Sequence, residues 1–338
     1  MTNSSSMFVA GVLTGLLCAC VIGASLIRPK AATAGGGNTI VLKLAHGLDE
    51  QHPVHKSMAL LAKRVEELTH QKARIDVYSG GVLGNEVNCL EQVQKGELAM
   101  TKVSTAALEA FMPQMKVFSI PFAFRDYDHF WNVLDSATGK KILEMGVKNR
   151  FIGLCYYSSG ERNFYTTKKP VRSVADVAGM KIRVMNSRTA MDMINAMGGS
   201  PCPIDWGELY SSLQSGIVDG AENNWPSFVT SRHFEVCKYF TQSGHQRIPD
   251  MVIISTTVWD RLPSEVQEAL RTAAHESELY QRKLWDEKTK ECIEFAKAKG
   301  IEIIQPDVES FRKACEKIRE QPDYEVTRSL YAEFQAIK

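Results

Sequence analysis

Two arginines stand where chemistry could happen. Arg183 sits in Lys181-Ile182-Arg183-Val184, where apolar residues alternate with basic ones as in a strand, and Arg162 follows Tyr156-Tyr157 and Gly160 in a loop. A side chain at the end of a parallel strand faces the crevice where α/β proteins bind ligands. Two guanidiniums converging there need an anion, and a carboxylate matches the guanidinium fork with two parallel hydrogen bonds. The plainer reading makes each a solvated surface arginine. Asn223 and Asn224 end the run Val218-Asp219-Gly220-Ala221-Glu222 and either present amides to a polyol or form a turn before Pro226. Trp206 and Tyr210 either stack on an apolar ligand face or fill core. His46, just after a strand, and Glu86, at a helix start, hold positions that open on a crevice, although Glu86 equally complements a helix dipole.

Other chemistry is thin. The sequence holds no G-x-x-x-x-G-K-[ST] phosphate loop, no G-x-G-x-x-G after a strand, no G-x-S-x-G elbow and no H-E-x-x-H. His52 and His55 have ligand-like spacing, but no nearby carboxylate or cysteine completes a metal set, so they read as helix-start histidines in a solvated turn. Of eight cysteines, the six beyond residue 20 are widely and irregularly spaced, which reads as buried thiols. Cys292 and Cys315 are a candidate disulfide if the body is exported. These absences lower the odds of an enzyme.

The elements that position the arginines alternate. Residues 41–45 read as a strand, 52–69 as a helix with an apolar stripe, 73–78 as a strand, 85–95 as a helix stopped at Gly96, and 98–103 as a strand. Strands separated by helices of this length imply βαβ units and a parallel sheet, so the lobe is α/β. After a strand at 151–157 a second α/β unit follows: a strand at 181–185, helices at 188–197 and 207–215, and a strand start at 218–222. An apolar strand at 251–257 could return to the first lobe, as in two-lobed clefts hinged by crossing strands. Residues 264–299 hold no proline or glycine and end at Gly300. As one helix they would measure about 54 Å and lie across both lobes.

The 338 residues carry 40 basic and 39 acidic side chains, a formal net charge of +1, and 44% hydrophobic residues. That suffices for one or two proper cores and argues against a nucleic-acid partner, which needs a surplus of basic charge. The amino end differs, since residues 7–27 hold no charge. That length suits a bilayer span, while Ala32-Thr33-Ala34 suits a signal cleavage site and Leu17-Cys18-Ala19-Cys20 resembles a lipoprotein box. It reads as an export segment separated from the body by Gly35-Gly36-Gly37, with cleavage and anchoring both open.

Several stretches together resemble a known family. They are Gly84-Asn85-Glu86 leading into LEQVQKGELAM, then FSIPFAFRD, GMKIRV and GGSPCPIDWGELYSSLQSGIVDGAEN. They are similar to the substrate-binding proteins of tripartite ATP-independent periplasmic (TRAP) transporters, the DctP-type family, over residues 39–299. The resemblance implies a periplasmic binding protein of two α/β lobes with a cleft between them, crossing hinge strands and a long spanning helix. It implies a protein without cofactor, a monomer, that captures a small organic acid and delivers it to TRAP membrane subunits. Its lobes would be residues 38–159 with 249–287, and 160–248 with 288–338, behind an export segment at 1–37. Carried over, Arg183 matches the carboxylate-clamping arginine, Arg162 a second cleft arginine and Asn223 a ligand-contacting asparagine, while Glu86 and Trp206 match cleft-lining positions.

The stretches MTKVSTAALEAF, NFYTT and DWGELY look most like the branch that binds hexuronates such as glucuronate and galacturonate, with a C4-dicarboxylate or small keto acid as runner-up. On that reading Arg183 holds the carboxylate while Glu86, Lys102 and Asn223 bond hydroxyls. The chain departs from that branch at Glu161 and Cys202. Two rival classes are an enzyme using Glu86 as general base and a membrane-anchored sensor that retains residues 7–27.

Overall fold

Strand β1 (Ile40–Ala45) buries Leu42 and Leu44 and exposes Val41 and Lys43, the period of two that seats one face of a strand on a core. It pairs in parallel with β2 (Ala73–Tyr78) and β3 (Met100–Ser104). The connecting helices are α1 (Pro53–Leu68) and α2 (Glu86–Lys95). Helix α1 buries Val54, Met58, Leu61 and Val65 as one stripe, and Pro53 opens it, where a missing N–H costs nothing. Helix α2 is capped by the Asn85 side chain, which accepts from the Asn88 amide at 2.8 Å, and ends at Gly96 with a left-handed φ of 78°. The computed structural model describes residues 39–338; the expected export segment lies outside them.

The first sheet is completed by β4 (Phe151–Tyr157) and β10 (Asp250–Ser255), in the order β2-β1-β3-β10-β4. Strand β10 runs antiparallel to both neighbours, because the chain reaches it from the other lobe. The second sheet has the order β11-β9-β5-β8-β6-β7. These strands are β5 (Arg162–Thr166), β6 (Lys181–Val184), β7 (Ser200–Pro203), β8 (Gly220–Asn223), β9 (Tyr239–Gln246) and β11 (Glu302–Ile304). Residues 158–161 and 247–249 carry the chain between the sheets. Gly160 sits in the first crossing at φ +61, where a Cβ would lie 2.8 Å from Trp285 Nε1, so only glycine fits there without strain.

The long helix Ser264–Ala298 spans about 52 Å. Its first half packs Val266, Leu270 and Ala273 into the core beneath β1, where Trp285 of its second half joins them, and its last turns pack Cys292 and Ala296 into the core of the second sheet. Between the two, Gln281 grips the crossing strand, accepting from the Ser158 amide and donating to the Ser158 carbonyl, both at 2.8 Å.

Two features differ from the sequence reading. Arg162 opens a strand rather than sitting in a loop. Strand β5 lies between β8 and β9 with all five residues buried, so Arg-Asn-Phe-Tyr-Thr shows no apolar alternation. Cys292 and Cys315 are free and belong to different apolar clusters, which rules out their pairing here. The carboxy end packs on both sides of one shared apolar cluster. Phe311 packs on Phe164 of β5, but the final helix Arg328–Ala336 returns Phe334 to Phe118 and Phe124, beside the first sheet. Burying aromatic surface on that side is what draws it back.

Candidate ligand-binding site

Between the sheets lies a cavity lined by side chains of both, the concave position in which small-molecule sites form. Its walls are built from strand and helix ends. The first lobe supplies Glu86 from the start of α2, Lys102 and Ser104 from β3, Asp250 from the start of β10, and His52 capping α1. The second supplies Arg162 at the start of β5, Arg183 on β6, Asn223 at the end of β8, and Trp206, with Ser159 at the crossing. Antiparallel β5 and β10 begin where their parallel neighbours end. Six of the seven expected site residues therefore meet here: Arg183, Arg162, Asn223, Glu86, Trp206 and Lys102.

Arg183 and Arg162 differ in one decisive respect. Arg162 is paired with an acid and uses four of its five N–H groups: its Nε and Nη2 bond Glu222 Oε2 and Oε1 at 2.5 and 2.9 Å, Nη2 also reaches the Glu222 carbonyl at 2.8 Å, and Nη1 bonds Asn223 Oδ1 at 3.1 Å. Burial pushes the Glu222 carboxyl up, but Arg162 and His245 more than offset this and hold it at about 2. Arg183 is 3% exposed. Its Nε donates to the Ile204 carbonyl at 2.8 Å, and its buried Nη1 has no partner among the described residues. The guanidinium lies 5.7 Å from the centroid of the Trp206 ring, a cation–π contact. Burial pulls the Arg183 pKa down. It also holds His233 at about 3, with Arg183 adding to the effect.

Opposite, Lys102 sits between two carboxylates, 2.7 Å from Glu86 Oε1 and 3.3 Å from Asp250 Oδ2. Burial lowers the Lys102 pKa, but Asp250 and Glu86 outweigh it and the ammonium is held charged. Burial pushes Asp250 up against the opposing pull of Lys102. Glu86 Oε1 also accepts the Ser104 amide at 3.2 Å, so it is engaged as an ion-pair partner and cap rather than poised as a free base. Asn223 Oδ1 is taken up by Arg162 and by the backbone and side chain of Asn224, and the residue lines the cavity.

Several side-chain bonds join the two sides, among them Ser187 Oγ and Thr189 Oγ1, which donate to Glu109 at 3.0 Å. His52 Nε2 meets Ser227 Oγ at 3.3 Å, and at the rim Asn85 Nδ2 donates to Asp205 Oδ2 at 2.7 Å. The rim belongs to an outer chamber of about 210 Å³ that shares Glu86, Arg183, Met185 and Trp206 with the inner one.

His46 is corrected: it does not line the cavity. It is buried behind Gly47 and Leu48, accepting the Leu48 amide on Nδ1 at 3.2 Å and meeting His55 at 3.0 Å, so it shapes the wall indirectly. Burial, with Lys102 and His55, holds it at about 3. His52 is corrected as well, being buried in the cleft rather than solvated, with its pKa lowered by burial and by Lys102. Tyr210 points away, donating to Glu235 at 2.8 Å. Asn224 caps the helix Trp225–Thr230 by accepting the Ser227 amide at 2.8 Å. Asp250, Ser104 and Ser227 were missed. A faint signal exists for Asp250, a carboxylate opening the wholly apolar run Met251-Val252-Ile253-Ile254. Ser104 and Ser227 carry no pattern of their own. Among the described residues no cluster of three or more His, Cys, Asp or Glu could hold a metal, and no helix is long and apolar enough to cross a membrane.

Residues 44–323 match the family model DctP, described as bacterial extracellular solute-binding protein, family 7. A solute-binding protein of Chromohalobacter salexigens is 32% identical over 274 residues, covering 81% of this chain and 80% of that protein. A TRAP periplasmic solute-binding protein from Pseudomonas putida F1, solved with bound D-glucuronate, superposes with a TM-score of 0.84 at 36% identity, over 88% of this chain and 98% of that one. One from a Bradyrhizobium species, in complex with D-galacturonate, gives 0.85 at 35% identity, over 87% and 99%.

Proposed function

The chain belongs to family 7 of the bacterial extracellular solute-binding proteins, the DctP family of TRAP transport, and from this premise we propose that its cleft captures a hexuronate, D-glucuronate or D-galacturonate, by the carboxylate. One observation carries the reading: Arg183 is buried, charged and without an acid partner among the described residues, with Nη1 unbonded. A buried charge left alone is costly, and a ligand carboxylate supplies both the counter-charge and the missing hydrogen bonds. Trp206 offers a face against which a pyranose can lie, while Asn223, Glu86 and Lys102 bond its hydroxyls. The family is one of transport binding proteins working with TRAP membrane subunits, and its members are periplasmic. Residues 7–27 serve as the route of export for this chain, which acts as a monomer.

Ligands that bind the folded state alone raise its stability by RT ln(1 + [L]/Kd), about 2.7 kcal/mol at a hundred times Kd. A thermal-shift screen followed by calorimetry should therefore show D-glucuronate or D-galacturonate stabilising the protein, and Arg183→Ala should abolish the shift. Stabilisation by neutral sugars with none by carboxylates, or unchanged binding by Arg183→Ala, rejects the proposal.

A further inference from the structure

We propose that Asp250, supported by Glu86, makes the cleft selective for acids bearing a single carboxylate, by presenting open hydrogen-bond acceptors where a second carboxylate would have to lie. The proposal rests on Arg183 as the carboxylate anchor.

Three cations line the cavity, and two are already answered from within the protein. Arg162 is clamped by Glu222 through two oxygens, and Lys102 is shared by Glu86 and Asp250. One positive charge, Arg183, is left for a ligand among the described residues. Asp250 is 5% exposed, lines the cavity and is held on Oδ2 by Lys102 at 3.3 Å, its one side-chain partner among the described residues. Lys102 takes up one oxygen, which leaves the other carboxylate oxygen of this cavity-lining residue as an acceptor for a ligand. A sugar hydroxyl can donate to them, whereas an ionised carboxylate offers acceptors alone and brings like charge. Lys102 cannot turn to a second ligand carboxylate without abandoning buried Asp250, which has no other side-chain partner among the described residues, and weakening its hold on half-buried Glu86. The cleft is a donor end facing an acceptor end, and this polarity suits a polyhydroxy mono-acid and rejects a diacid.

The test compares D-glucuronate with D-glucarate, which differs by a carboxylate at C1 in place of the hemiacetal, together with succinate. Like-charge juxtaposition in an interface costs enough that calorimetry on the protein should find D-glucarate roughly 100-fold weaker than D-glucuronate. Asp250→Asn keeps the size and removes the charge, and should narrow that gap at least about tenfold. Circular dichroism checks its fold, and Glu86→Gln removes the second charge from the same end, with the same narrowing expected should Asp250→Asn not fold. Equal binding of the two sugar acids by the unaltered protein overturns the selectivity and leaves the hexuronate reading standing. So does a full gap retained by every variant that folds. Binding of succinate or D-glucarate with no binding of D-glucuronate overturns both.

Discussion

At the scale of the residue, the two cleft arginines have the same charge and burial but opposite jobs, and the difference is measurable without ligand. Removing Arg162 strands Glu222, which is fully buried and held at about 2 against the upward push of burial. Breaking such a pair costs about 3–5 kcal/mol. Removing Arg183 instead deletes a buried charge whose Nη1 has no partner. Arg162→Ala should thus lower the ligand-free denaturation midpoint sharply, while Arg183→Ala leaves it unchanged or raises it. Urea unfolding of both variants decides this, and the opposite ranking would reverse the roles assigned here. Arg162 also holds the oxygen of Asn223, a second side chain lining the cavity.

At the scale of the element, the site depends on ends. Helix α2 begins at the cleft with Asn85 as its cap, and the same side chain reaches across to Asp205. One residue thereby terminates a helix and fastens the rim. The two contributions separate by mutation. Asn85→Ala loses both the cap, about 1 kcal/mol of stability, and the cross-cleft bond. Asp205→Ala loses the bond alone. Asp205→Ala should release hexuronate roughly tenfold faster with little change in stability, the worth of one charge-assisted hydrogen bond. Stopped-flow dissociation measures it, and an unaltered release rate would show that the rim bond does not hold the lobes. The crossing strand is the other critical end. Gly160 against Trp285 and Ser158 gripped by Gln281 set where β5 begins, and hence where Arg162 enters the cleft.

At the scale of the whole molecule, burial of histidine ties stability to pH. His46 and His233 are lowered from an ordinary 6.5 to about 3, the first by burial, Lys102 and His55, the second by burial and Arg183. Their folded forms stay neutral while the unfolded chain takes up protons below 6.5. The stability they contribute is therefore complete above pH 6.5 and drains away as pH falls from 6.5 toward 3, on the order of 1–2 kcal/mol each by pH 5. Glu222, lowered from 4.5 to about 2, adds a loss of the same sign at lower pH, complete above 4.5 and gone as pH falls through 2. The thermal midpoint should fall between pH 7.5 and pH 5, and His233→Gln should flatten the slope. A midpoint constant or rising over that interval would contradict these environments.

Much of this protein is local and was legible before the fold. The alternation of β1, the stripe of α1, the Gly96 stop and the uninterrupted 264–298 helix all follow from neighbours within a few residues. So does the position of Arg183 on a strand whose end opens on a crevice. Strand β5 was not legible, because burial on both faces erases the alternation that marks a strand. Nor was it legible which charges neutralise which. Glu222 reaches Arg162 across the ladder between β8 and β5, and Asp250 reaches Lys102 across that between β10 and β3. Ion pairing between strands far apart in the chain leaves no spacing in sequence. The sequence by itself determined the family and the two α/β lobes, and it placed Arg183 on a strand whose end opens on a crevice. The tertiary structure decided that Arg183 alone of the three cleft cations is left without an acid partner among the described residues, because coulombic pairing depends on distance in space and not along the chain.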